Sequence, residues 1–173
     1  MMRKMHKGFT LVEVLIVMAV IGVLSSAMLF ASRESIRTTR AGNVITTLRN
    51  FASAAMTFYT DSMDHFTRNP NDTVNTTEGL KNWVKKYMYS EGNTIQDEGK
   101  YKVWNASGTW WVGYDLADDK DGIKGRLTSR AGASGLVGSG SINTYPAKDT
   151  GTNKYPEYNN DNAVWLLIRT NQR

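Results

Sequence analysis

Two apolar patterns of different kinds follow one another in the first third of the chain. From Phe9 the apolar residues run almost without interruption, and from Val14 to Ala31 there are 18 residues with no charge. At about 1.5 Å per residue this is a helix of about 27 Å, close to the hydrocarbon thickness of a bilayer. One carboxylate, Glu13, stands inside the run. After Ser32-Arg33-Glu34 the pattern becomes amphipathic: Ala41, Ile45, Leu48, Ala52, Ala55 and Tyr59 recur at alternating steps of four and three, with Val44, Phe51 and Phe58 on an adjacent track. Arg40, Thr47, Arg49, Asn50 and Thr57 are left for water. The spacing predicts one helix from about Phe9 to about Asp64, a rod of about 80 Å, with Asn69-Pro70 ending any continuation. Gly42 costs this helix about 1 kcal/mol of propensity and marks a place for a slight bend.

The remainder changes period. Asn75-Thr76-Thr77-Glu78 has the form of a capping box, with Asn75 as N-cap. The short helix it opens carries Leu80, Trp83, Val84, Tyr87 and Met88 on one face, and Lys81, Lys85 and Lys86 toward water. Tyr101-Lys102-Val103-Trp104 and Thr109-Trp110-Trp111-Val112-Gly113-Tyr114 are rich in aromatic and β-branched residues, and Asn105-Ala106-Ser107-Gly108 joins them, which predicts a β-hairpin. Ile123 to Thr128 reads as a third strand, Ser129 to Asn162 as loop, and Ala163-Val164-Trp165-Leu166-Leu167-Ile168-Arg169 as a C-terminal strand tucked into the core. These pieces predict an α+β class: one long N-terminal helix, transmembrane in its first half, packed in its second half on a small antiparallel sheet of three or four strands.

Glu13 is the informative residue, because a carboxylate near the end of a membrane-spanning helix costs roughly 2.5–3.5 kcal/mol on insertion scales. If the chain is cut between Gly8 and Phe9, the new α-amino group lies four residues away, on the same helix or on a neighbouring copy, and compensates the anion. Gly8, then Phe9-Thr10-Leu11-Val12-Glu13, then the apolar run with Gly22 inside it, resemble the class III signal of the type IV pilin family, which includes the pseudopilins of type II secretion. Many members carry a proline near the end of the run, where this chain has Phe30-Ala31-Ser32.

The resemblance implies a membrane aspartyl peptidase, the prepilin peptidase, that cuts after Gly8 and methylates Phe9. It also implies that Glu13 is needed for subunits to enter a filament. The implied organisation is a leader over 1–8, a membrane and filament-core helix over 9–31, its amphipathic continuation over 32–66 and an α+β head over 67–173. Implied partners are further copies of the chain in a helical filament, the prepilin peptidase, an inner-membrane assembly platform, other minor pilins or pseudopilins, and membrane lipid before assembly. The implied location is the bacterial inner membrane, single-pass with the C-terminal domain outside the cytoplasm, then a filament in the periplasm or on the cell surface. Two other readings of the N-terminus, an ordinary secretory signal and a plain one-pass anchor, both tolerate Glu13 poorly. Charge does not orient the span: Arg3, Lys4 and Lys7 precede it, and Arg33, Arg37 and Arg40 follow it.

Composition then narrows the function. Loss of Arg3, Lys4 and Lys7 takes Lys+Arg from 21 to 18 against 16 Asp+Glu, so the net charge falls from +5 to +2. The basicity belongs largely to the leader, and nucleic-acid binding by the mature chain is not expected. A DNA-binding minor pilin of a DNA-uptake machine is the alternative from another class. There are no cysteines, which excludes disulfides and thiolate metal sites. Many major type IV pilins carry a C-terminal disulfide loop, so the resemblance leans toward a pseudopilin-like or minor subunit.

No enzyme is expected. His6 lies in the leader, His65 is the one mature histidine, and neither a nucleophile motif nor a glycine-rich phosphate loop is present. No cofactor is expected, with one candidate exception. Asp115, Asp118, Asp119 and Asp121, followed by Gly122, offer hard oxygen ligands for Ca²⁺, and some major pseudopilins hold calcium in a loop of the C-terminal domain. The match to an EF-hand loop is poor, with Ala117 at a first-ligand place and Thr128 at the twelfth position. The other reading is a solvated acidic turn screened by Lys120 and Lys124.

Overall fold

The computed structural model describes residues 8–61, 77–88, 95, 98–106, 109–119 and 122–169. The elements are α1 (Leu11–Asp61), α2 (Thr77–Lys86), a 3-10 turn (Glu98–Lys100), β1 (Tyr101–Ala106), β2 (Thr109–Asp115), α3 (Lys124–Thr128), α4 (Ala131–Ser134), β3 (Leu136–Ser139) and β4 (Ala163–Arg169). They fall into two compact units, Met1–Ile36 and Arg37–Arg173.

In the first unit α1 presents apolar side chains on every side and buries none of them: Leu15, Ile16, Val17, Leu24 and Phe30 are all exposed. A helix that is apolar all round belongs in lipid or in a core made by neighbours. The helix continues without interruption through Phe30-Ala31-Ser32 and through Gly42.

In the second unit α1 buries Ala41, Val44, Ile45, Leu48, Phe51, Ala54, Ala55 and Phe58. The two expected tracks are therefore the core face, with Ala54 added and with Ala52 and Tyr59 only half-buried. This face meets a four-stranded antiparallel sheet of order β1-β2-β4-β3. Phe51 packs on Tyr101 with ring centroids 5.4 Å apart, and Phe58 and Tyr59 stand edge-on to Trp110 at 6.4 and 6.0 Å. The hairpin is as expected, with β1 running two residues further into the connection, since Ala106 pairs with Thr109, and β2 one residue longer at its far end. The C-terminal strand lies between β2 and β3, and its bounds match the apolar run.

The outer face of the sheet carries a second core of Trp111, Val137, Ile142, Ala163 and Trp165, with Trp104, Tyr155 and Leu167 partly buried against it. Trp165 is fully buried, and its indole N–H donates to Ser139 Oγ at 2.8 Å. Its ring lies flat over Gly113, where an added Cβ would stand 2.5 Å from Cε3. The glycine in the middle of β2 is therefore the seat of that indole.

Three expectations are corrected. Ile123 to Thr128 is not a strand: Lys124–Thr128 is a helix. The Asp119 carboxylate accepts the N–H groups of Ile123 (2.9 Å) and Lys124 (3.1 Å), capping the first turn, and Ile123 and Leu127 bury at a spacing of four. Ser129 to Asn162 is not all loop, since it holds α4, ended by Gly135 at φ 65°, and β3, paired along β4 from Leu136↔Leu166 to Ser139↔Ala163. A four-residue strand containing a glycine has too few side chains to display a period. At Gly138 an added side chain would collide with the Asp161 carboxylate. Lastly, Lys81 is buried, not turned to water, because it shares a helix face with buried Val84 three residues on. Lys85 does face water and pairs with Glu98 at 2.7 Å, a surface bridge worth roughly 0–1 kcal/mol. The Asn75 cap, the Asn69-Pro70 stop, the turn residues Ser107 and Gly108, the side chains of Leu80 and Trp83, and His65 lie outside the described residues.

The free edge of β3 is covered by the chain itself: Gly138 N–H donates to Pro156 O (3.1 Å), and Tyr158 N–H to Leu136 O (3.0 Å). Tyr158 is buried there, and its hydroxyl donates to Asp161 O at 3.1 Å. Burial first, then the nearby carboxylates of Asp161 and Asp119, push its pKa above the ordinary 10.0. The folded state thus holds this proton more tightly than the unfolded state. The associated stability is complete below pH 10.0 and is lost as the pH rises beyond it. In detergent-solubilised full chain, the Tm should fall more steeply above pH 10 than in Tyr158→Phe, and parallel curves would refute this assignment.

Candidate functional site

Helix α1 starts from a reciprocal cap. Thr10 Oγ1 accepts the N–H of Glu13 at 3.2 Å, while Glu13 Oε2 accepts the N–H of Thr10 and its hydroxyl, both at 3.0 Å. The first helical bond, Val14 N–H to Thr10 O at 3.3 Å, follows. This is a capping box, a cap worth about 1 kcal/mol, and it sets the carboxylate over the positive end of the helix. Both side-chain bonds fall on Oε2, so Oε1 remains for a further donor. The sequence reading overlooked Thr10, although Thr-x-x-Glu ahead of an apolar run is a legible signature.

Gly8 and Phe9 precede the helix and are exposed. Nothing lies within 4 Å of where a Gly8 side chain would project. The peptide bond between them is outside the hydrogen-bonded helix. Within the chain the structure therefore brings Gly8, Phe9, Thr10 and Glu13 together at one helix terminus.

The acidic loop is employed differently. Asp115 Oδ1 accepts the N–H of Ala117 at 2.9 Å, a local turn bond, and Asp119 spends both oxygens on the α3 cap. Asp118 is exposed, and Asp121 lies outside the described residues. The Arg37 guanidinium rests 3.3 Å from the position of a Cβ at Gly122. Lys124 Nζ reaches Asn162 Oδ1 at 2.8 Å, and Leu116 N–H donates to Asn162 O at 2.7 Å. Among the described residues no three histidine or carboxylate groups are placed to hold a metal ion. A cleft between Ala55, Met56, Tyr59, Thr60, Trp110 and Ile168 is mostly apolar. It offers no nucleophile paired with a base, which acyl or phosphoryl chemistry requires.

Residues 3–29 match the family described as the prokaryotic N-terminal methylation motif. That motif is the class III signal of type IV pilins and pseudopilins, so the chain carries the N-terminal signal of a pilin-like precursor. Its one helix long and apolar enough to cross a membrane is α1, among the described residues. No curated protein and no solved structure matches the chain.

Proposed function

We propose that the chain is a structural subunit of a type II secretion pseudopilus or a type IV pilus, inserted first in the bacterial inner membrane with its C-terminal unit outside the cytoplasm. The prepilin peptidase cuts between Gly8 and Phe9 and methylates Phe9. The segment Phe9–Ala31 then leaves the lipid and packs with other copies as the filament core, with the assembly platform and minor subunits as further partners. The carrying observation is an acid, Glu13, capping an otherwise apolar helix directly behind an exposed glycine. Its Oε1 receives the Phe9 amine of an adjacent subunit. Apolar packing gives little drive for register within lipid, and a charge pair supplies it.

Mass spectrometry of the protein from its native host should find a first residue Phe9 carrying one added methyl group. Any other first residue overturns the reading. The acidic loop is assigned to backbone capping, with calcium as its alternative. Millimolar Ca²⁺ should leave the Tm of the full chain unchanged. A rise abolished by Asp118→Asn, which removes neither cap, would establish the metal instead.

A further inference from the structure

Among the described residues of the second unit, two large apolar side chains stand exposed: Met56 at 55 % and Tyr145 at 41 %. Met56 lines the cleft with Tyr59, Thr60, Ile168 and the buried pair Ala55 and Trp110. At about 280 Å³ the cleft falls below the roughly 300–1,000 Å³ of small-molecule sites and suits a single side chain. A thioether beside aromatic rings favours an aromatic occupant. The Thr60 hydroxyl donates to Met56 O at 2.9 Å, so what it offers an occupant is an acceptor.

Tyr145 has the form of a fixed knob. Its ring packs on Trp104 with centroids 5.8 Å apart, and Ile142 and Pro146 on either side of it are buried. Ser139 Oγ donates to Thr144 O at 3.0 Å, and Lys102 Nζ to Asn143 Oδ1. A side chain held this way loses little freedom on docking. Trp104 belongs to the core on the outer face of the sheet, whereas Ala55, Tyr59, Trp110 and Ile168 belong to the core under α1. Knob and cleft therefore lie on opposite faces of one sheet. When the cleft face of one copy meets the knob face of a second, the knob of the first points away. Such a contact is heterologous and propagates instead of closing into a two-fold pair.

A stable complex buries about 800 Å² on each partner, far more than one side chain supplies. The occupant must therefore be held chiefly by another contact. A second copy of this chain meets that condition, because the first unit exposes apolar side chains all round its helix. We propose that Tyr145 of one copy inserts into the Met56 cleft of the next, its hydroxyl donating to Thr60 Oγ1, as a head-to-tail contact between C-terminal units. The inference rests on reading the chain as a filament subunit.

The chain has no cysteine, and Thr57 beside the cleft and Thr144 beside the knob are both exposed. Filaments of the full chain carrying Thr57→Cys and Thr144→Cys, sheared from the native host, are treated with a short bismaleimide and run on a denaturing gel. The double variant should give a ladder that continues past the dimer. Each single variant should give monomer, and filaments mixed from the two single variants dimer alone. Adding Tyr145→Ala should cut the cross-linked fraction about tenfold, the scale on which truncating an interface tyrosine acts. Filaments without a ladder, a ladder that stops at the dimer, cross-linking of Thr57→Cys to a different protein, or a ladder untouched by Tyr145→Ala overturns this contact alone. Failure to recover filaments of the native chain overturns the filament reading, and the contact with it.

Discussion

Glu13→Gln should be cleaved and methylated normally and yet enter filaments at least a hundredfold less than the native chain. Glutamine at this place keeps the capping box with Thr10, because a carboxamide oxygen still accepts the Thr10 N–H. What it removes is the charge. Breaking one partner of a desolvated ion pair costs about 3–5 kcal/mol, which is more than a hundredfold in each subunit contact. Thr10→Val makes the complementary change: it loses the side-chain cap, about 1 kcal/mol, and keeps the anion. Its filament yield should drop several-fold at most. Counting filaments by electron microscopy beside the mass of the processed N-terminus separates the two. Equal yields of native and Glu13→Gln filaments would remove the charge pair from the account.

Gly113→Val should unfold the second unit, or lower its stability by about 3 kcal/mol or more, out of the 5–15 kcal/mol typical of a small domain. The added Cβ alone would stand 2.5, 2.6 and 2.7 Å from three carbons of the Trp165 ring. That ring is fully buried and tied to Ser139 Oγ, so it has no free rotamer to retreat into. Gly125→Ala is the matched control. It lies in α3 with nothing within 4 Å of its Cβ position and should be neutral or stabilising by up to about 1 kcal/mol. Thermal melts of the two variants should differ by well over 10 °C for a unit of this size. Similar melting temperatures would mean that the indole is not packed on Gly113.

How much of this was legible along the chain depends on the range of the interaction concerned. The buried tracks of the long helix and the hairpin advertise themselves through a period of 3.6 or 2, and the first half of that helix and the C-terminal strand through unbroken apolar runs. The capping acid Glu13 was legible for a different reason, namely that a lone acid in an apolar run breaks the pattern around it. Thr10 is equally local, since its bonds to Glu13 span three residues.

The errors have one origin. Ile123 to Thr128 offers residues that suit a strand, and only Asp119, folding back onto the amides of Ile123 and Lys124, turns them into a helix. Leu136–Ser139 is too short to show a period and becomes a strand because β4 offers it an edge. The charge of Lys81 points to water, whereas its place on the helix face of Val84 buries it.

Local order along the chain was enough to specify the membrane-length helix and the acid that caps its start, since those rest on composition and on bonds spanning three or four residues. Which glycine seats an indole and which short segment joins the sheet were decided by contacts between residues tens of positions apart. Only the packed structure brings such residues within bonding distance.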